Sequence, residues 1–130
     1  MIVAEQKPLE ELRQFISPYE RVLLLGCGTC MTVCGAGGEH EVSFLHSALR
    51  VAQAKSSDGV HAFSEYTVKR QCEFEFLDLL VDRVSEVDAI LSLGCGIGVQ
   101  VIAERFPDMP VLPGVNTSFM GMAKEWGVWD

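Results

Sequence analysis

The sequence contains no apolar stretch near the roughly 20 residues that a membrane-spanning helix needs. Basic residues are also few, with 10 Lys and Arg against 18 Asp and Glu and a net charge of −8. These features argue against membrane insertion and against a nucleic-acid partner. The first eight residues lack the apolar core of a signal peptide, which predicts a cytoplasmic location.

Catalytic patterns are equally scarce. No Ser/His/Asp arrangement and no paired carboxylates stand out among the acidic residues. The histidines are His40, His46 and His61, and His46, near the apolar face of its predicted helix, is interpreted as a packed or surface residue rather than a metal ligand. The number of cysteines is five, so complete internal disulfide pairing is impossible, and structural disulfides are rare in a reducing compartment. The cysteines are therefore the main candidates for functional side chains.

With 130 residues, 48% of them hydrophobic, the chain (1–130) is expected to form a single domain with its own core. Apolar runs and helical spacings alternate along it. The predicted helices are 8–16, 39–54, 77–84 and 99–106, and the predicted strands are 22–25, 60–68, 89–93 and one from Val111. This alternation predicts an α/β fold, a small Rossmann-like or flavodoxin-like layer of about four parallel strands with helices on both faces. The tail 116–130 shows no regular period.

One turn occurs twice. Leu24-Leu25-Gly26-Cys27-Gly28 is repeated as Ser92-Leu93-Gly94-Cys95-Gly96, and each copy follows a predicted buried strand. Ligands of open α/β sheets bind at this carboxyl edge of the strands. Glycines there let the backbone turn sharply and approach a bound group. The repeat therefore predicts that two cysteines meet at one edge of the sheet.

The spacing Cys27-x-x-Cys30-x-x-x-Cys34 adds two more thiols to the first turn, and Cys72 follows the strand 60–68. Clusters of the 4Fe–4S type take four thiolates from such short runs and distant positions. All five cysteines are therefore candidate ligands of a 4Fe–4S cluster. Since four suffice, one is expected to be dispensable, and the Cys30/Cys34 pair is where we expect it.

Other interpretations of the cysteines stay open. A zinc ion held by four thiolates is the nearest alternative, a redox-active Cys-x-x-Cys dithiol is another, and buried free cysteines are a third. Residues 90–98 are also similar to the glycine-rich motif of S-adenosylmethionine methyltransferases. No acidic residue follows about twenty positions later to hold a ribose, which weakens that interpretation.

Several motifs together resemble the methylenetetrahydrofolate reductase C-terminal family. They run from Val22-Leu-Leu-Leu-Gly-Cys-Gly-Thr-Cys to Gly38, then through Val68-Lys-Arg-Gln-Cys72, Leu91-Ser-Leu-Gly-Cys95-Gly-x-Gly-Val-Gln100 and Asn116-Thr-x-Phe119-x-Gly121. The resemblance covers nearly the whole chain. Stand-alone members are the small iron–sulfur subunit of the reductase in acetogens and related anaerobes. The family's cysteine positions correspond to Cys27, Cys30, Cys34, Cys72 and Cys95.

The resemblance implies an electron-transfer subunit of an oxidoreductase in one-carbon metabolism, without folate reductase activity of its own. Its implied partner is a TIM-barrel flavin subunit, where 5,10-methylenetetrahydrofolate is reduced. A zinc-stabilised module that only holds this catalytic subunit is the alternative. The second cysteine-rich segment usual in such subunits has no counterpart here. The aromatic residues of the tail, Phe119, Trp126 and Trp129, fit either core packing or an interface with the partner.

Overall fold

The computed structural model describes residues 2–55, 61–120, 123–125 and 128–129, in which helices and strands alternate. The strands are β1 (Ile2–Gln6), β2 (Arg21–Cys27), β3 (Ala62–Val68), β4 (Ala89–Ser92), β5 (Val111–Pro113), β6 (Val115–Met120), β7 (Ala123–Glu125) and β8 (Val128–Trp129). The helices are α1 (Leu9–Ile16), α2 (Cys30–Val33), α3 (Glu39–Ala54), α4 (Phe74–Leu77), α5 (Val81–Val84) and α6 (Gly96–Arg105), with a 3-10 turn at Asp78–Leu80.

Four strands form a parallel sheet in the order β3-β2-β4-β5. Strand β2 pairs along its whole length with β3, so that Cys27 lies beside Val68, and it pairs on its other side with β4, where Leu25 lies beside Ser92. Counted within this sheet alone, the strand order is 2-1-3-4, which matches the start of a flavodoxin-like sheet. The predicted α/β class with about four parallel strands is confirmed.

Helices cover both faces of the sheet, as the sequence predicted. Val22 and Leu24 of β2 lie in a core formed with α1, α2 and α3. Leu23 and Leu25 alternate with them and lie in a second core formed with α4, α5 and α6. All four side chains are fully buried, which explains why this strand is a continuous apolar run rather than an alternating one.

The helix predicted over 39–54 has those bounds in the structure. Val42, Leu45 and Leu49 recur at helical spacing and are buried against the sheet. At the helix start, the Glu41 carboxylate accepts a hydrogen bond from the backbone N–H of Gly38 at 3.0 Å. A first-turn carboxylate that binds a free N–H in this way stabilises the helix terminus.

The chain departs from the sequence prediction at its ends. Residues 2–6, for which no element was predicted, form β1 and pair antiparallel with β6, with Glu5 beside Asn116. The tail, predicted to have no regular period, contributes β6, β7 and β8. Trp126, expected either in the core or at an interface, lies outside the described residues, and so do the side chains of Phe119 and Trp129, for which the same expectation was made. Pairing between segments more than a hundred residues apart leaves no local pattern, which is why these strands were missed.

Two shorter segments also differ from the prediction. The single helix expected over 77–84 is split into α4, the 3-10 turn and α5, although Leu77, Leu80 and Val84 are buried as their spacing indicated. The first cysteine loop contains the short helix α2, which the sequence analysis treated as loop. Within the part of the chain that is described, no helix has the length and apolar character needed to cross a membrane.

Candidate metal centre

The carboxyl ends of the central strands enclose a cavity of about 250 Å³. Four of the five cysteines line it: Cys27, Cys30, Cys72 and Cys95. Each reaches the cavity from a different position in the fold. Cys27 ends β2, Cys30 begins α2, Cys72 follows β3, and Cys95 is the residue before α6. The predicted convergence of distant thiols at one edge of the sheet is therefore present for four residues.

The topology places this cavity where ligands of open α/β sheets bind. After β2 the chain crosses to β3 on one side, and after β4 it crosses to β5 on the other side. The loops that follow β2 and β4 therefore diverge and leave a crevice between them. Cys27 and Cys95 stand in these two loops, so the repeated turn of the sequence marks the switch point of the sheet.

The two repeated turns lie side by side. The N–H of Leu93 donates to the carbonyl of Leu25 at 2.8 Å, and each of these leucines stands two residues before a cavity cysteine. In the first turn, the N–H of Cys27 donates to the Gly37 carbonyl at 2.9 Å, and the Thr32 hydroxyl donates to the Cys27 carbonyl at 2.9 Å. The backbone of Cys27 is thus held on both sides, which gives its thiol a defined position.

Cys34 lies apart from the other four and is not among the residues that line the cavity. Its Sγ lies 3.7 Å from the carbonyl oxygen of Ala4 and 3.8 Å from that of Met31. These are distances at which a thiol donates weak hydrogen bonds. Cys34 therefore packs between α2 and β1, and this placement favours it as the dispensable cysteine.

The segment before Cys72 supplies charge to the cavity. Arg70 lines it, and the Arg70 Nη1 forms an ion pair with Glu73 Oε1 at 2.9 Å. Burial raises the pKa of the Cys72 thiol above its usual 9.0, and the neighbouring Cys27 and Cys95 thiolates raise it further. Negative charge on Cys72 is therefore disfavoured at this position, and Arg70 provides an opposing positive charge nearby.

Sequence reasoning assigned no role to Gln71, a cavity-lining polar side chain with only 1% of its surface exposed. Its Nε2 donates to the Leu25 carbonyl at 2.9 Å, and its Oε1 accepts from the Ser92 hydroxyl. A polar residue directly before a candidate ligand, in a turn with no periodic pattern, carries no signal of burial. Arg70 was missed because it stands in the same turn, which has no periodic pattern.

None of the three histidines lines the thiol cavity. His46 Nδ1 lies 3.2 Å from Glu65 Oε2, and His61 Nδ1 contacts the backbone carbonyl of Tyr19. His40 borders a second, wider cavity of about 770 Å³ beside the start of α3, together with Gly28 and Gly38. Two glycines of the second turn lie at the thiol cavity: Gly98 lines it, and Gly94 packs against Gln71.

The donors fit a thiolate-bound metal group. Four sulfurs with no carboxylate among the cavity-lining residues select zinc or iron–sulfur clusters over magnesium or calcium. Across the described ranges, no three His, Cys, Asp or Glu side chains are close enough together to hold a single metal ion. The cavity that the four thiols line has a volume of about 250 Å³, many times the roughly 30 Å³ share of a water molecule, so it has room for a group of several atoms.

Comparison of the chain with protein-family models, with curated proteins and with solved structures found no match. The chemistry of this site is therefore assigned from its own residues: four thiols, one arginine and a buried glutamine at the switch point of a parallel sheet.

Proposed function

We propose that this chain is an iron–sulfur subunit that transfers electrons and holds a 4Fe–4S cluster with Cys27, Cys30, Cys72 and Cys95. The single observation that carries the proposal is that these four thiols line one cavity at the carboxyl edge of the sheet. Such a cluster takes four cysteine ligands, and it supplies one-electron transfer when bound. The proposed role agrees with the resemblance to the small subunit of methylenetetrahydrofolate reductase.

The residues around the thiols suit this role. Met31 is fully buried and lines the cavity, so it keeps one wall dry. Arg70 lies at the same cavity with its side chain about half exposed, where its charge offsets that of the thiolates. A dry wall and a nearby cation are two of the means by which proteins adjust the reduction potential of a cluster.

The electron acceptor or donor is proposed to be a separate flavin subunit that carries the folate site. It has to approach the open side of the cavity, because electron transfer requires the two centres to be close. Two large apolar side chains are exposed beside cavity residues: Ile97 at 54%, between Cys95 and Gly98, and Phe74 at 49%, just after Cys72. Exposed apolar side chains are typical of the centre of an interface.

Anaerobic purification followed by iron, sulfide and zinc analysis tests the cofactor. We expect about four iron and four sulfide per chain, with a brown colour. One zinc per chain without sulfide would instead support the zinc-stabilised interaction module, which uses the same four thiolate donors. Protein that binds neither metal after reconstitution with iron and sulfide would overturn both assignments.

Co-purification with a flavin-containing methylenetetrahydrofolate reductase subunit tests the partner. We expect Ile97→Ala and Phe74→Ala to weaken the association while iron content stays unchanged. Phe44→Ala is the matched control, since Phe44 is 70% exposed on α3, on the other side of the sheet from α4 and α6. Equal retention of all three variants would place the interface elsewhere.

A further inference from the structure

We propose that Gln71 is the positioning residue that sets where the Cys72 thiol stands relative to Cys27 and Cys95. This inference rests on the proposed function, since it concerns the same cavity. Residues 69–73 form a turn between β3 and α4 and belong to no helix or strand. The position of Cys72 is therefore not determined by a strand ladder or a helix, and another interaction has to hold it.

The Gln71 amide supplies that interaction through two hydrogen bonds. Its Nε2 donates to the carbonyl of Leu25 at 2.9 Å, and its Oε1 accepts from the hydroxyl of Ser92. Leu25 lies near the end of β2, two residues before Cys27, and Ser92 ends β4, three residues before Cys95. One side chain next to Cys72 thus joins the ends of both strands that carry the other distant thiols.

The second turn is shaped around this side chain. A Cβ on Gly94 would come within 2.2 Å of Gln71 Oε1, and one on Gly98 would lie 2.9 Å from Gln71 Cβ. The Ser92 hydroxyl also accepts from the N–H of Gly94 at 3.1 Å, which continues the connection from Gln71 toward Cys95. The glycines around Cys95 therefore provide the space that Gln71 occupies.

Only an amide of this length satisfies both partners. Leu25 offers an acceptor and Ser92 offers a donor, so the side chain between them needs one donor and one acceptor. A glutamate would face the Leu25 carbonyl without a proton and would add negative charge beside the thiolates. A methionine fills a similar volume but forms neither hydrogen bond. It leaves the buried Ser92 hydroxyl proton without an acceptor and the Leu25 carbonyl with only the Leu93 N–H as donor.

The test compares Gln71→Met with Gln100→Met, the same substitution at an exposed position of α6. Each protein is reconstituted anaerobically with iron and sulfide, and each cysteine is assayed for alkylation by iodoacetamide. In Gln71→Met we expect Cys72 to become alkylated while Cys27 stays protected. We also expect the chelator concentration that removes half of the iron to fall about 10- to 100-fold relative to the wild type. Gln100→Met should match the wild type.

A purely structural role would lower the melting temperature of the metal-free protein without exposing Cys72 in the loaded one. If Cys72 in folded, loaded Gln71→Met is protected from alkylation as fully as in the wild type, the inference is overturned. If Gln71→Met does not fold, Ser92→Ala removes one of the two hydrogen bonds and should expose Cys72 in the same way, to a smaller extent. A loaded Ser92→Ala protein with full protection of Cys72 then overturns it.

Failure of the proposed function is distinguishable from failure of this inference. Wild-type protein that takes up no iron on reconstitution with iron and sulfide removes the proposed cluster site. The positioning role is then decided in metal-free protein from the alkylation rate of Cys72 relative to Cys34, which lies outside the cavity. A severalfold rise in this ratio in Gln71→Met supports the role of Gln71, and an unchanged ratio contradicts it.

Discussion

The carbonyl oxygen of Leu93 occupies the space beside Gly37, where an added Cβ would come within 2.0 Å of it. Gly37 belongs to the glycine-rich stretch that follows the first cysteine turn, and Leu93 precedes Cys95 in the second turn. The N–H of Cys27 also donates to the Gly37 carbonyl. The two turns therefore approach each other backbone to backbone, with Gly37 between them.

This contact predicts different outcomes for two glycine substitutions. Gly37→Ala should destabilise the metal-free protein by about 2–3 kcal/mol, because backbone atoms cannot move aside as a flexible side chain would. Gly96→Ala is the control, since a Cβ there has no neighbour within 4 Å at the first residue of α6. It should be neutral or stabilising by up to about 1 kcal/mol. Urea unfolding of both variants measures the difference, and equal stabilities would contradict the close approach.

Substitution of the cysteines should separate ligands from the dispensable residue. Cys27→Ser, Cys30→Ser, Cys72→Ser and Cys95→Ser are each expected to lose most of the bound iron, whereas Cys34→Ser should keep nearly all of it. The reason is that four thiols line the cavity and Cys34 packs against β1. Iron and sulfide analysis of anaerobic preparations measures this. If Cys34→Ser lost all of its iron and Cys72→Ser kept all of it, Cys34 would be the ligand and Cys72 the dispensable cysteine.

Removal of the positive charge at the cavity should lower the reduction potential of the cluster. In Arg70→Gln the added electron loses a favourable interaction, so the potential should become more negative by an amount on the order of tens of millivolts. Solvent screening keeps the change small, because the Arg70 side chain is about half exposed. Arg13→Gln on α1 is the control and should leave the potential unchanged. A redox titration followed by absorbance compares the two variants.

An ion pair at the amino ends of β2 and β4, the end of the sheet opposite the cavity, makes the stability of the fold depend on pH. The Arg21 guanidinium donates to Asp88 at 3.0 Å, and together with the Arg21 backbone N–H it holds the pKa of the Asp88 carboxyl below its usual 3.8. A lowered carboxyl pKa gives stability that is complete above the unfolded value and is lost as the pH falls through the folded value.

Asp88→Asn should therefore melt at a lower temperature than the wild type near pH 7. The difference should shrink as the pH falls below 3.8 and should vanish once the wild-type carboxyl, whose pKa is lowered, is protonated as well. Asp108→Asn, at an exposed position, is the matched control. Thermal unfolding of metal-free protein from pH 7 to pH 2.5 measures the effect, and a difference that does not change with pH would contradict it.

Local patterns in the sequence were sufficient for the strands of the central sheet and for the longer helices, but not for α2 or for the split between α4 and α5. The 39–54 helix was predicted with its observed bounds because Val42, Leu45 and Leu49 repeat at helical spacing beside a glycine-rich stretch. Strand β4 was predicted within one residue because a short apolar run followed by Gly-Cys-Gly has few other conformations. By contrast, β1 has its partner in β6, at the far end of the chain, so no local pattern reveals it.

The sequence by itself determined that cysteines stand at the carboxyl ends of parallel strands, because a buried strand followed by a Gly-Cys-Gly turn is a local feature. Only the tertiary structure decided which of them meet. Cys34 is one helical turn from Cys30, yet it packs on β1, a strand whose position depends on long-range pairing. Gln71 likewise became visible only when Leu25 and Ser92 came together in the sheet, since a buried hydrogen bond between distant segments depends on the whole fold.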